Sequence, residues 1–349
     1  MRGLLAVPIC IAVTALSWGT YGVAVHVGQY GLGTEEMDAD TRKLVQGMFA
    51  FMCVGIAYFL VAVLIPLIRL KTKGEKGSWT VRGTVTSTVA GAVGAVGALG
   101  IVIAFGSGGS PIYVMPLVFG GAPVVNTFVS MVFAKAYRDI RPVFLVGLAL
   151  VVTGAVLVLV YTPSVGATTS TVEPNWGLII GAIFVTALCW GSYGPVLHKG
   201  QAAMGGSRLR PFVCVGLAYI VVAVIAPTLW LSANGISLTQ GWTGRGVTWA
   251  LVGGGVGAIG ALGIIFAFNY GGKPVFVMPL VFGGAPVVNT FTKIAIHLSK
   301  GDELTTPSMF FVGLGTVIVG AVLTLVFAPR GGKPATAAKT SEATATATT

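Results

Sequence analysis

Fifteen consecutive residues, Val114 to Phe128 (VMPLVFGGAPVVNTF), recur without change at Val277 to Phe291. A copy of that length restricts the chain to folds built from two equivalent halves, and the flanking sequence extends the match. VTALSWGTYG at Val13 to Gly22 returns as VTALCWGSYG at Val185 to Gly194, and CVGIAYFLVAVLIP from Cys53 returns as CVGLAYIVVAVIAP from Cys214. VGLALVVTGAVLVLVYTP from Val146 is matched by VGLGTVIVGAVLTLVFAP from Val312. The chain reads as a tandem duplication, residues 1–162 and 176–329, joined by a polar linker, 163–175. Residues 330–349 form an Ala/Thr-rich tail that cannot bury a core and is expected to be disordered. Because the first apolar segment has an internal copy, it is expected to be a permanent span and not a cleaved signal.

Only 9% of residues are charged, 55% are hydrophobic, and the mean hydropathy is +0.90. Soluble domains carry about 25% charge, so this is the composition of an integral membrane protein. The 51 glycines agree, since small residues let helices approach where lipid supplies no hydrophobic drive. Apolar runs of membrane-spanning length fall near Gly3 to Val27, Gly47 to Leu70, Gly83 to Phe105, Pro111 to Lys135 and Val143 to Tyr161. Five more follow near Trp176 to Leu197, Pro211 to Leu231, Val247 to Phe268, Pro274 to His297 and Ser308 to Phe327.

The net charge of +11 would suggest a nucleic-acid partner in a soluble chain. Here the basic residues sit between apolar runs, so no nucleic acid is expected and their role is topological. With the N-terminus cytoplasmic, sixteen Lys and Arg fall inside and only Arg42, Lys43, Arg245 and Lys300 outside, while Lys293 lies within a span. Both termini are therefore expected in the cytoplasm. Five spans per half is an odd number, so the second half must cross in the opposite sense. The expected fold is an all-α polytopic membrane protein of ten transmembrane helices in two inverted five-helix repeats, the architecture of many secondary transporters.

The repeated block carries the first candidate site. Pro123 and Pro286 sit near the middle of the fourth and ninth spans, each following a Gly-Gly-Ala, and deprive the carbonyls of Phe119 and Phe282 of their usual donors. Gly120, Gly121 and Pro123, with Gly283, Gly284 and Pro286, are therefore expected to mark a hinge or helix break, tolerated in lipid only where protein or a water-filled cavity satisfies the backbone. A kinked helix that uses its glycines for close packing is the plainer alternative. Asn126 and Asn289, one turn further along, could offer donors and acceptors to a polar substrate or simply bond between helices. Ser130 in the first copy is Lys293 in the second, and Lys293 shares a helix face with Asn289 and His297. An ionisable residue in a span is a functional candidate by default, although Lys293 could also snorkel to the interface.

Trp18 and Trp190 occupy equivalent positions, with Tyr21 and Tyr193 three residues on. They are candidates to line a cavity with flat rings suited to a sugar or planar metabolite, the alternative being the interfacial aromatic belt. His26, His198 and His297 are candidates for proton coupling, although a histidine at a span end is more often simply solvated. Tyr58 and Tyr219 are read as packing. None of the ten Asp and Glu residues lies deep in an expected span, so a carboxylate proton relay is poorly supported. No P-loop, no HExxH and no buried acid pair is present, so neither ATP drive nor enzymatic activity is expected, and no catalytic residue, cofactor or metal is assigned. The four cysteines, Cys10, Cys53, Cys189 and Cys214, all lie in apolar spans and form no metal-type or disulfide spacing.

The LSWGTYG start of the first span, the VGxxxVxxGAVL pattern of the fifth, the ten spans and the five-span duplication together resemble the drug/metabolite transporter superfamily with its EamA-type repeats. The tryptophan-glycine-tyrosine beginnings are also similar, more loosely, to the glucose and rhamnose uptake branch. The resemblance covers Met1 to Pro329 and implies a carrier with a central cavity lined by the first, third and fourth spans of each repeat. The expected activity is transport of a small polar metabolite, a sugar or similar, by alternating access in a plasma or bacterial inner membrane. A passive solute channel and a non-transporting scaffold or sensor are the alternatives.

Overall fold

In lipid a backbone polar group must find its partner within its own segment or a closed sheet, so long apolar runs fold as helices. The computed structural model describes residues 2–134, 141–161, 163–165, 173–272, 274–299, 301 and 304–327. The expected disordered tail, 330–349, and the middle of the polar linker lie outside them. The described helices are α1 (Arg2–Tyr30), α2 (39–73), α3 (Val81–Gly106), α4 (Pro111–Ala134), α5 (Pro142–Val160), α6 (Trp176–Ala203), α7 (Leu209–Ala233), α8 (Gly244–Asn269), α9 (Pro274–Ser299) and α10 (Ser308–Val326). Seven of them are long and apolar enough to cross a membrane, and the chain is accordingly a helical, multi-pass membrane protein. Many large apolar side chains, Leu5, Ile9, Val81 and Phe184 among them, lie on the exposed surface, as a lipid-facing wall requires.

The two halves interlock through their first and third helices. On α1, Thr14 Oγ1 donates to the Gly260 carbonyl (3.1 Å) and Trp18 Nε1 to Gly257 (3.1 Å) across the halves, while Gln29 Nε2 donates to Val102 of α3 (3.1 Å) within its own half. The copy reproduces each bond: Thr186 Oγ1 to Gly97 (3.1 Å), Trp190 Nε1 to Gly94 (3.2 Å) and Gln201 Nε2 to Ile265 (3.1 Å). Glycine is required along these contacts because the helix backbones touch. A Cβ at Gly28 would meet the backbone of Ala250, and one at Gly200 the backbone of Ser87. Helices α5 and α10 run antiparallel with Gly147 against Thr324 and Gly154 against Val317, answered by Gly313 against Val158 and Gly320 against Val151. Helices α2 and α7 are antiparallel as well, with Gly55 on Ala223 and Gly216 on Ala62.

Connecting segments gather at two ends. At one, Gly33, with φ +82°, donates its amide to the carbonyl of Gly241, with φ +93°, at 2.8 Å, conformations that favour glycine. The two-residue strands β1 (Ser164–Val165) and β2 (Leu304–Thr305) pair antiparallel, Ser164 opposite Thr305. At the other end, the segment after α2 meets the segment after α6: Ser78 donates its amide to the Met204 carbonyl (3.3 Å) and Thr80 Oγ1 to that of Ala203 (2.9 Å).

Helix irregularity is not where the prolines of the repeated block place it. Helix α4 runs unbroken through Pro116 and Pro123, and α9 through Pro286, so the expected break at Gly120, Gly121 and Pro123, and at Gly283, Gly284 and Pro286, is replaced by continuous helix. The glycines serve packing instead. Gly121 faces Ala187 and Gly284 faces Ala15, each at 3.2 Å from an added Cβ. The irregular turns are π-helical, at Phe59–Leu64 in α2 and Ile220–Ile225 in α7. Each precedes a proline, Pro66 or Pro227, and the wider turn passes a carbonyl that the proline cannot serve to a donor one residue further on.

Candidate functional site

The interlocked first helices bring their equivalent aromatic residues together at the centre. Trp18 and Trp190 stack with ring centroids 6.2 Å apart and planes at 27°. Tyr21 meets Trp190 edge-on at 5.8 Å, and Tyr193 meets Trp18 edge-on at 6.3 Å. Tyr58 and Tyr219 stack face to face at 3.6 Å with planes 2° apart. These six rings, with Gly94 and Gly257, line a chamber of about 20 Å³, room for one ordered water. The repeated block adds a second layer of rings, with Phe119 against Trp190 at 5.8 Å and Phe282 against Trp18 at 6.4 Å.

Local chemistry sets each ring. Each tryptophan is fixed by its indole N–H on a carbonyl of the opposing glycine-rich helix, and Gly97 and Gly260 lie directly beneath the indoles of Trp190 and Trp18. Tyr58 and Tyr219 stand immediately before the π-helical turns. Among the described residues the lining carries no charged side chain. The hydroxyls of Tyr21 and Tyr193 are buried and have no hydrogen-bond partner among the described residues, and the two residues are only 3% and 4% exposed. Leaving a buried hydroxyl unpaired costs about 1–3 kcal/mol, so two at equivalent positions on residues that line one chamber call for a water or a ligand nearby.

The structure thus groups Trp18, Trp190, Tyr21 and Tyr193 as the sequence suggests, and adds Tyr58 and Tyr219, which sequence reasoning assigned to packing. Their signal was present, since each is the same residue type at the same place in both copies. Asn126, Asn289 and Lys293 do not line this chamber. Asn289 Nδ2 donates to the Pro111 carbonyl at the start of α4 (2.7 Å), tying the two repeated helices together, and the Oδ1 atoms of Asn126 and Asn289 are buried without a partner. Lys293 is buried, at 9% exposure. His26 packs edge-on against Phe105 and His198 against Phe268, both at 5.1 Å, one at each end of the molecule; His297 lies near the end of α9. Among the described residues no cluster of His, Cys, Asp and Glu could hold a metal ion.

One end of the molecule is held by the carboxylate of Glu75, in the segment that follows α2. Glu75 accepts hydrogen bonds from Ser207 Oγ (2.6 Å), the amides of Arg208 and Leu209 (3.0 Å each) and Arg208 Nε (3.0 Å), with Arg210 at 3.9 Å. Its side chain is 7% exposed. Burial raises its pKa, but the bonds from Ser207, Leu209 and Arg208 outweigh that and hold the carboxyl below its ordinary value. A carboxylate depressed in the folded state contributes stability that is fully present above its unfolded pKa and is lost as pH falls through the folded value. Thermal stability is therefore expected to be flat near neutrality and to fall below the ordinary carboxylate range. The Glu75→Gln protein should lack that component in a melting series against pH. At the opposite end Phe49 stacks on Trp242 at 3.9 Å.

No family model matches the chain, and no curated protein does. Solved structures share the fold. A crystal structure described only as that of a protein superposes with a TM-score of 0.55 at 15% identity, covering 93% of this chain and 99% of its own. At that identity the likeness concerns the fold alone.

Proposed function

We propose that this protein is a secondary carrier of the drug/metabolite transporter type, with ten spans in two inverted five-helix repeats and both termini cytoplasmic. It moves a small, uncharged polar metabolite, a sugar or similar, by alternating access. The single observation that carries this reading is the pair of tyrosines, Tyr21 and Tyr193, that line one aromatic chamber from equivalent positions, their buried hydroxyls unpaired among the described residues. Flat rings stack on the apolar faces of such a solute while hydroxyls bond its polar edge. The absence of charge from the lining selects a neutral molecule. Antiparallel packing of α2 with α7 and of α5 with α10 supports the inverted arrangement. A chamber with room for one water fits a closed state between two open ones. The repeated block also departs from two-fold symmetry: Gly120 rests on Val317 and Gly283 on Ile318, both of α10, as in a carrier caught leaning to one side.

Counterflow in proteoliposomes, after a thermal-shift screen of neutral polyols, sugars, nucleosides and amides, is the test. Saturable uptake with counterflow is expected, and Tyr21→Phe and Tyr193→Phe should each reduce it about tenfold or more while leaving the melting temperature unchanged or higher, because an unpaired buried hydroxyl is removed. Flux that neither saturates nor shows counterflow would identify a channel. Binding without flux would identify a scaffold or sensor. Full transport in both tyrosine variants would remove the chamber as the site.

A further inference from the structure

We infer a second site, distinct from the chamber: the cleft between the basic end of α2 and the starts of the segments facing it binds an anionic phospholipid. Val61, Ile65, Arg69 and Lys73 follow one another at four-residue steps along α2 and all line one cleft of about 290 Å³. The order matters. Apolar side chains come first and cations last, which is the order of acyl chain and headgroup met by a helix leaving the bilayer. Leu262 and Phe266 of α8 form the facing apolar wall. Arg208 stands over the rim with its guanidinium 5.2 Å from the Phe266 ring.

Charge decides the class of ligand. Arg69, Lys73 and Arg208 face a single carboxylate, Glu75, so the cleft has a surplus of positive charge that matches a phosphodiester. Arg69 and Lys73 are exposed and make no ion pair with it. A free phosphate would use the cations but gain nothing from Val61, Ile65, Leu262 and Phe266, whereas a lipid uses both parts of the cleft. The site belongs to one end of the molecule only. The residues equivalent to Arg69 and Lys73, counted from the matched Cys53 and Cys214, are Trp230 of α7 and Asn234 just after it. A headgroup there would share Arg208 with Glu75, and so act on the bonds that close that end.

Delipidated protein in a neutral detergent should be titrated with phosphatidylglycerol, phosphatidylcholine and inorganic phosphate, reading melting temperature and retained lipid by native mass spectrometry. Phosphatidylglycerol is expected to raise the melting temperature and remain bound, with phosphatidylcholine and phosphate without effect. An Arg69→Ala/Lys73→Ala protein should lose about thirtyfold in phosphatidylglycerol affinity, the product of two basic side chains at about 1 kcal/mol each. Its lipid-free melting temperature should match wild type because both side chains are exposed. Arg69→Lys/Lys73→Arg should bind as wild type, and if the alanine protein is unstable, the single Arg69→Gln and Lys73→Gln proteins give the same comparison. Equal stabilisation by phosphatidylcholine, unchanged affinity in the charge-removed variants, or displacement of the lipid by millimolar phosphate would each overturn the proposal.

Discussion

Glu75→Ala protein is expected to melt several degrees below wild type, a loss on the order of 3 kcal/mol. The carboxylate is nearly buried and accepts from a hydroxyl, two backbone amides and a guanidinium. Hydrogen bonds to a charged group contribute about 1.5–3 kcal/mol each, but the Arg208 side chain is 34% exposed and its share is discounted for solvent screening. Most of the cost falls on the amides of Arg208 and Leu209, which lie at the N-terminus of α7, where a negative charge is favoured. Glu75→Gln keeps the shape and one acceptor and should lose about half as much. In the proposed carrier this latch joins the segments after α2 and α6, so its loss should also shift the resting state toward opening at that end. An alanine protein that melts with wild type would show that the latch contributes nothing.

Gly97→Ala and Gly260→Ala should each destabilise by about 2–4 kcal/mol, from overpacking plus one lost hydrogen bond. A Cβ at either position would lie within the indole of Trp190 or Trp18. The same indole nitrogen donates to Gly94 or Gly257 one turn away, so the ring cannot retreat without breaking that bond and the stack between the tryptophans. Gly255 on α8 is the control. Nothing lies within 4 Å of a Cβ there, so Gly255→Ala should be neutral or stabilising by up to about 1 kcal/mol. The mechanism is checked by combining Gly97→Ala with Trp190→Leu. The pair should cost clearly less than the sum of the single changes, because the clash disappears with the ring. Additive losses would show that the indole is not what the glycine accommodates. Chemical unfolding in detergent reads all five variants, Trp190→Leu alone included.

Much of the helical layout was legible in the residues because spanning a bilayer demands length and apolarity, and both are local properties. The expected runs from Gly83 to Phe105 and from Val247 to Phe268 fall within α3 and α8, despite their glycine content. The tryptophan and tyrosine candidates were legible for a different reason: each recurs at the same place in both copies. Tyr58 and Tyr219 recur equally, yet an aromatic beside small residues reads as packing until its ring is seen to face its own copy at 3.6 Å. The prolines misled because losing one donor looks like a break along the chain, whereas α4 and α9 continue through it with neighbours packed on both sides. Asn289 bonds a carbonyl far away in sequence, and Glu75 folds back onto Ser207 to Leu209. Neither partner is marked by spacing.

By itself the sequence determined a membrane-embedded helical chain with a duplicated interior and paired aromatic residues, since composition, run length and repetition need no partner to be read. Tertiary structure alone decided which faces meet. Lipid is as apolar as a buried leucine, so hydrophobic periodicity does not mark the inner face of a helix in a membrane. The choice falls to close contacts between small residues, here α1 on α8 and α6 on α3, and those contacts carry Trp18 to Trp190 and close the chamber between the two halves.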